Sequence, residues 1–333
     1  MRPGAEPRGL VTGELEAHRA ALTGYCYRML GCGAEAEDAV QETMIRAWRN
    51  ADKLQHRAAL RGWLFRIAGN VCFDMLEGGR RRAQPMDLGP ASAADAALGA
   101  GLPESTWVRP IADERVLDLH ADPADLMAAR ETLRLAFVAA LQHLPPRQRA
   151  VLVLREALRW RAEEVADLLE TSVASVNSAL QRARATLGSL DLDPGAVSPG
   201  GDGGDPLLQH YIEAFEAYDI ERLVTLLRED AAFSMPPFPL WVRGPADIAG
   251  FMLGTGAKCR GSRVLPVSAN GGPAAAIYNP AGDGSFTPWA VVVLETDGRQ
   301  ITGLHHFLYP ELFARFGLPE RLPSPPPTPT SSA

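Results

Sequence analysis

The sequence predicts a multidomain protein, with two all-α helical domains followed by a C-terminal α+β domain. Three observations carry that prediction. Apolar residues recur at three- and four-residue intervals through residues 15–76 and again from 124 to 187. Two stretches interrupt the pattern, 83–105, rich in Ala, Gly, Ser and Pro, and 191–206, rich in Gly, Pro and Asp. Beyond the second stretch, two helical segments give way to short strand-like runs, the order expected of an α+β domain. The boundaries that follow are a first helical domain at 10–82, a linker at 83–127, a second helical domain at 128–190, a linker at 191–205, an α+β domain at 206–320 and a tail at 321–333.

Within the first domain, residues 15–30, 34–48 and 60–76 read as helices, with Gly31 and Gly33 punctuating the first junction. Residues 83–105 have no usable period and read as a flexible linker. Trp107-Val-Arg-Pro110 and Val116-Leu117 are too apolar for free coil and should dock. Residues 124–144 read as one long helix stopped by Pro145-Pro146, and helices follow at 147–157, 162–169 and 173–187. Residues 191–206 hold five glycines, three prolines and four aspartates. In the last domain, helices at 207–218 and 220–227 precede antiparallel-looking strands at 231–235, 240–243, 263–269, 274–279, 289–295 and 300–308. Thr296-Asp-Gly298-Arg marks a hairpin between the last two. The tail from Pro323 is rich in Pro, Ser and Thr and should be disordered.

The formal charge of −7 is unevenly spread. Residues 1–82 and 128–188 each carry +3, residues 83–127 carry −6 and residues 189–333 carry −7. Two mildly basic blocks inside an acidic chain are compatible with a nucleic-acid-binding portion. No apolar run approaches the roughly 18 residues of a membrane helix, and no apolar segment follows Arg2 and Arg8 to make a signal peptide. The chain is therefore expected to be cytoplasmic. Cys26, Cys32, Cys72 and Cys259 have neither C-x-x-C spacing nor a histidine cluster, so they read as reduced apolar residues; no metal or cofactor is expected.

The segment from Trp160 to Arg184 has the pattern of a helix-turn-helix. Val165, Ala166 and Leu169 supply the inner face of its first helix, and Val173, Val176 and Leu180 that of its second, which Thr171 and Ser172 can cap. The outer face then presents Ser172, Ala174, Ser175, Asn177, Ser178, Gln181 and Arg182, residue types that contact phosphates and base edges in a major groove. Arg155, Arg159, Arg161 and Arg184 surround the unit as candidate phosphate contacts. The bland alternative is a helical hairpin with a solvated polar face.

The stretch Leu144-Pro-Pro-Arg-Gln-Arg-Ala-Val-Leu-Val-Leu-Arg, Glu164-Val-Ala and Val173-Ala-Ser-Val-Asn-Ser-Ala-Leu-Gln-Arg-Ala-Arg together resemble region four of RNA polymerase sigma factors. That resemblance implies binding to the minus-thirty-five promoter element and to the flap of the polymerase β subunit. Such proteins often have Gly in the turn, where this chain has Glu170-Thr171. Glu37-Asp-Ala-Val-Gln-Glu-Thr-Met-Ile-Arg-Ala-Trp48 resembles part of region two, which implies docking on the β′ coiled coil. Asp38, Gln41, Glu42 and Arg46 fall at helical spacing on one face and are the candidate polymerase contacts. Ala39, Val40, Met44, Ala47 and Trp48 supply the apolar positions. The run from Arg61 to Leu76 resembles the helix that melts and reads the minus-ten element. There Trp63 and Ile67 read as core, and Arg61, Arg66 and Asn70 as DNA contacts, with Arg80, Arg81 and Arg82 meeting duplex phosphates. The absence of other sigma regions between the two points to the extracytoplasmic-function group.

Residues 207–231 resemble the start of a SnoaL-like domain, a cone-shaped α+β fold, and Ser234-Met-Pro-Pro-Phe-Pro-Leu-Trp-Val-Arg-Gly244 resembles the segment that follows it in a subgroup of large sigma factors. Trp107-Val-Arg-Pro-Ile-Ala-Asp113 resembles a Trp-x-x-Pro-x-x-Asp signature of that subgroup. The resemblance implies a built-in regulator that dispenses with a separate anti-sigma protein and can hold a small molecule. Phe215, Asp219, Met235, Trp241 and His305 are the candidate ligand pocket. Asp219, Asp230, His305 and His306 are the titratable candidates for catalysis. Both aspartates sit where caps or turns are expected, and one of two adjacent strand histidines should face outward, so no enzyme activity is expected. The expected function is a transcription initiation factor acting with core RNA polymerase on promoter DNA. The alternatives are a ligand-responsive DNA-binding repressor and an enzyme on a DNA-binding scaffold.

Overall fold

The computed structural model describes residues 13–54, 56–79, 81–190 and 205–323. The linker expected at 191–205 and the tail fall almost entirely outside the described residues, as does Arg80. The chain forms two compact units. Of the described residues, those within 1–88, 103–199 and 269–271 form the first, and those within 89–102, 200–268 and 272–333 form the second.

The first unit begins with three helices, α1 (Arg19–Leu30), α2 (Gly33–Arg49) and α3 (Leu60–Leu76). Their facing stripes close a core of Leu22, Tyr25, Met29, Val40, Leu64 and Phe65. The α1–α2 corner is tight because Gly31 takes a left-handed conformation (φ 70°) and its N–H caps the helix on Tyr27 O. Gly33 admits no side chain, since a Cβ there would lie 2.7 Å from Pro110 O. The docking expected of the Trp107 segment explains that closeness. Trp107 is fully buried, and Arg109 N–H donates to Gly31 O at 2.9 Å. Asp113, which ends the Trp-x-x-Pro-x-x-Asp signature, is also buried, and burial pushes its carboxyl up to about 7.

The single long helix expected at 124–144 is instead two, α4 (Pro123–Glu131) and α5 (Leu135–Leu141). The break has a long-range cause. Buried Arg28 on α1 donates to the carbonyls of Ala129 (3.2 Å) and Thr132 (3.1 Å) and to Thr132 Oγ1 (2.7 Å), satisfying the end of α4 where it stops. A second buried cation, Arg149 on α6 (Pro146–Leu152), donates to Met29 O in the last turn of α1. It also donates to Gln142 Oε1 (2.7 Å), Gln142 O (3.2 Å) and Leu144 O (3.1 Å). Burial lowers both guanidinium groups to about 10, which leaves them charged at neutral pH.

A π-helical turn (Val153–Ala157) leads into α7 (Ala162–Leu168) and α8 (Val173–Gly188), the helix-turn-helix. Val165, Ala166, Val176 and Leu180 are buried as expected, whereas Val173 sits at the exposed start of its helix. Ser172 Oγ accepts from Ser175 N–H at 3.1 Å, capping α8. The position where the resemblance expects glycine is left-handed: Glu170 has φ 51°. A side chain there costs roughly 1–2 kcal/mol, and its 3.8 Å ion pair with Arg66 is too exposed to return much of it. Glu170→Gly is therefore expected to stabilise the first unit by about 0.5–1 kcal/mol, measured as a raised denaturation midpoint in urea.

In the second unit, Asp205 caps α9 (Pro206–Glu216) and Asp219 caps α10 (Ile220–Thr225). Six strands follow: β1 (Leu227–Ser234), β2 (Trp241–Arg243), β3 (Arg263–Ala269), β4 (Gly272–Pro280), β5 (Phe286–Thr296) and β6 (Ile301–Phe307). Their order is β2-β1-β6-β5-β4-β3. The expected all-antiparallel appearance is corrected at one place, because β1 and β6 pair in parallel with Ser234 opposite His305. The hairpin signal between β5 and β6 is a turn in which Gln300 N–H donates to Asp297 Oδ1 (2.9 Å), with Gly298 at φ 88°. Two further helices, α11 (Pro245–Leu253) and the short α12 (Leu312–Arg315), were not legible as such in the sequence. The core joins Tyr211 and Phe215 of α9, Phe251 of α11 and the inner residues Phe233, Val292 and Leu304 of the sheet.

Residues 89–102 were expected to be part of a flexible linker. They lie instead along this second unit as a strap. Trp241 Nε1 donates to Gly89 O (2.9 Å), Ser92 N–H to Trp241 O (2.7 Å) and Leu102 N–H to Pro237 O (2.8 Å). Between these anchors Ala96 and Leu98 pack on the core.

Candidate nucleic-acid interface

The recognition helix α8 presents a continuous polar face. Ser172, Ala174, Ser175, Asn177, Ser178, Gln181 and Arg182 are all exposed, while Val176, Ala179, Leu180 and Ala183 are buried beneath them. The first helix of the motif begins with Arg161 N–H donating to Glu164 Oε2 at 2.7 Å, which fixes its entry. Of the four peripheral arginines, Arg155 donates to Trp160 O and Arg184 pairs with Glu156 at 2.5 Å, whereas Arg159 and Arg161 are mostly exposed.

The candidates on α3 are placed differently. Arg61 lies over the Trp160 ring at 4.6 Å, and Arg66 donates to Asp167 O at 2.8 Å. Both therefore face residues of the helix-turn-helix across a cleft of about 600 Å³ that also holds His56, Trp63 and Glu164. Asn70, further along α3, is exposed. Trp63 and Ile67 are only half-buried, not the core positions expected. Of the basic run, Arg81 is exposed, with Nη1 3.0 Å from His143 Nδ1. Arg82 corrects the expectation of a phosphate contact. It is buried, donates to Trp107 O (2.8 Å) and Glu104 O (3.2 Å), and pairs with Glu35. Its guanidinium binds the returning chain to α2 and has no path to DNA in this arrangement.

Asp38, Gln41, Glu42 and Arg46 lie on one face of α2. Arg46 pairs with Glu42 at 2.6 Å and with Asp74 at 3.3 Å, bracing the stripe against α3. The hydrogen bond from Glu42 raises the Arg46 pKa, and Asp74 adds to it. Trp48, assigned to the apolar face from periodicity, is 56 % exposed. It stands one helical repeat beyond Gln41, so it extends the exposed stripe with a large apolar group.

In the second unit the candidate pocket is partly redrawn. A cavity of about 130 Å³ is walled by Phe215, Phe233, Met235, Phe251, Trp289 and His306. Phe215 and Met235 thus line it as expected, and Asp219, Trp241 and His305 do not. Asp219 is spent on capping Arg222 N–H at 2.9 Å, and Trp241 on the strap. The adjacent histidines are both buried, at 2 % and 1 % exposure, because both faces of β6 are covered; the expectation of one outward histidine was wrong. His305 Nδ1 lies 2.9 Å from Ser234 Oγ and Nε2 3.5 Å from Glu295 Oε2. This set resembles a nucleophile–base–acid triad in type only. Ser234 is fully buried and is not among the residues of the cavity wall, and the contact ties parallel β1 to β6. Asp230 pairs with Arg228 at 2.5 Å at the surface. Burial, with a smaller push from His305, lowers His306 to about 3, so its ring is neutral.

Among the described residues, no helix is long and apolar enough to cross a membrane. Family models match in the same order as these parts: Sigma-70 region 2 at residues 15–82, Sigma-70 region 4 at 134–187 and a SnoaL-like domain at 208–307. The ECF RNA polymerase sigma factor SigG of Mycobacterium tuberculosis is 43% identical over 329 residues, covering 96% of this chain and 87% of that protein. SigJ of the same organism is 30% identical over 254 residues, 72% of each chain. The crystal structure of SigJ superposes with a TM-score of 0.58 at 25% identity, covering 92% of this chain and all of that one. The chain belongs to the extracytoplasmic-function (ECF) RNA polymerase sigma factors, and it carries a SnoaL-like domain after its region 4.

Proposed function

We propose that this protein binds core RNA polymerase and directs it to promoters, with region 4 reading the minus-thirty-five element through α8 and region 2 the minus-ten element through α3. One observation carries the reading: the two sigma regions fold in order in one chain, and α8 keeps an exposed polar face of base-reading residue types. That face has a single strong cation, Arg182, so duplex binding depends on polymerase holding both regions. The stripe of Asp38, Gln41, Glu42 and Arg46 is assigned to the β′ coiled coil and region 4 to the β flap. The protein acts in the cytoplasm, and its own C-terminal domain, rather than a separate anti-sigma protein, adjusts its activity. The second unit is regulatory and not catalytic, and its cavity accepts a small molecule.

Run-off transcription over the source genome with core polymerase tests the central claim. Purified protein should yield discrete transcripts, and a complete absence of promoter-dependent product would end the reading. Changing Gln181 and Arg182 together to Ala should lower transcription at least 10-fold, since each base contact contributes about 1–3 kcal/mol. Tight duplex binding without polymerase would favour the repressor alternative. Truncation after Leu190 should change the transcript level, and an unchanged level would remove the regulatory role of the second unit.

A further inference from the structure

The cavity of the second unit has a composition that selects its ligand. Its walls are aromatic and thioether groups, and its volume of about 130 Å³ is close to that of cavities that hold one benzene-sized ring. The Cys259 thiol in the wall is pushed up to about 12 by burial, so it stays neutral. Lys258 and Thr255 are exposed at the rim. One buried polar side chain stands among these apolar groups. His306 is 1 % exposed, its ring lies 4.5 Å from that of Phe233, and its Nδ1 has no hydrogen-bond partner. The ring is neutral, and the backbone of Leu304 and Ser234 acts on it as hydrogen-bond acceptor. A neutral imidazole that gives its one N–H to a carbonyl leaves the other nitrogen as a lone-pair acceptor. The group that would satisfy that nitrogen is therefore a donor.

The wall of the cavity is not built from residues 205–323 alone. Leu98 forms part of the wall, and it comes from the strap of residues 89–102 that joins region 2 to region 4 in sequence.

We propose that this cavity binds a small, neutral aromatic molecule bearing one O–H or N–H, a phenol-like ligand, held by the His306 imidazole and packed against Leu98 of the strap. The proposal deepens the ligand reading given above and rests on it. Such a ligand replaces empty space with ring contacts, satisfies a buried acceptor and adds a surface on which Leu98 packs. Its occupancy therefore tightens the strap, a loop whose base is closed by Ala83 N–H donating to Thr106 O at 2.8 Å and Val108 N–H donating to Ala83 O at 3.1 Å.

Calorimetric titration of the full-length protein with phenol and with toluene, without polymerase or DNA, tests this. Phenol should bind at least 10-fold more tightly than toluene, which has the same ring and no donor. His306→Phe should erase that preference. Leu98→Trp, a change on the strap and not in the helices or sheet, should fill part of the cavity and weaken phenol binding at least 10-fold, so the test stands even if the His306 variant fails to fold. Phenol should also slow hydrogen exchange within residues 89–102. Absence of phenol binding, equal binding of the two probes, or binding indifferent to Leu98→Trp would overturn the site. Exchange in 89–102 unaltered by bound phenol would overturn the coupling. Because the readouts use the protein alone, these failures are separable from a failure to direct transcription.

Discussion

Replacing Arg149 with methionine is expected to destabilise the first unit by about 3 kcal/mol. The wild-type guanidinium serves four acceptors, Met29 O, Gln142 O, Gln142 Oε1 and Leu144 O, in a site with 4 % exposure. Methionine keeps most of the volume and removes every donor. Leaving several buried acceptors unmet costs roughly 1–3 kcal/mol each, which outweighs the relief of no longer burying a cation. Lysine should recover only part of the loss, because an ammonium cannot reproduce the planar fork that reaches all four. Urea denaturation with a far-ultraviolet readout would show the shift. A midpoint unchanged by Arg149→Met would mean that these carbonyls find water instead. The functional interest lies in where the bonds run, since Met29 belongs to the region 2 match and Arg149 to the region 4 match.

The second large effect is acid sensitivity of the second unit. His306 is held near 3 in the folded chain, against an ordinary histidine value of about 6.5. Burial is the main cause, and the neighbouring His305 adds to it. A base whose folded pKa is depressed takes up its proton first in the unfolded chain. Its contribution to stability is therefore complete above about pH 6.5 and is lost as pH falls toward 3. At pH 5 the loss amounts to about 2 kcal/mol. Thermal unfolding at pH 5 and pH 7.5 should show it, and His306→Phe should flatten the difference. A His306→Phe protein with the wild-type pH slope would place the titration elsewhere.

Much of this architecture is visible in the residue pattern, and the parts that are not have a common cause. Periodicity alone locates α2, α3 and α8, because each has one buried stripe set by its own local spacing, whereas α1 is buried all round from Leu22 to Leu30. It fails at Thr132 to Arg134, where the apolar spacing continues and the helix is ended by Arg28, about a hundred residues away in the chain. It fails at α11, whose run Ile248-Ala-Gly-Phe-Met-Leu253 is apolar on every side and contains a glycine that argues against a helix. The exposed face of α8 could be read directly, since a helix surface follows from its buried face. Arg82 could not, because a run of three arginines looks uniformly solvated until the returning Trp107 segment covers one of them. Likewise the alternation of β6 shows that His305 and His306 point to opposite faces. It does not show that both faces are covered, or that only His306 meets the cavity.

The strap bears on how this protein can be taken apart. Residues 89–102 belong to the second unit by packing, yet the chain before and after them belongs to the first. A truncation after Leu190 removes Trp241 and Pro237, which supply the hydrogen-bond partners of Gly89, Ser92 and Leu102. The shortened protein is thus not the same sigma factor minus a module. It carries a released fourteen-residue loop with Leu98 stripped of its cover. Any activity it gains or loses is the sum of an absent regulator and a newly slack loop. A second truncation in which 89–102 is replaced by a polar segment of equal length would separate the two.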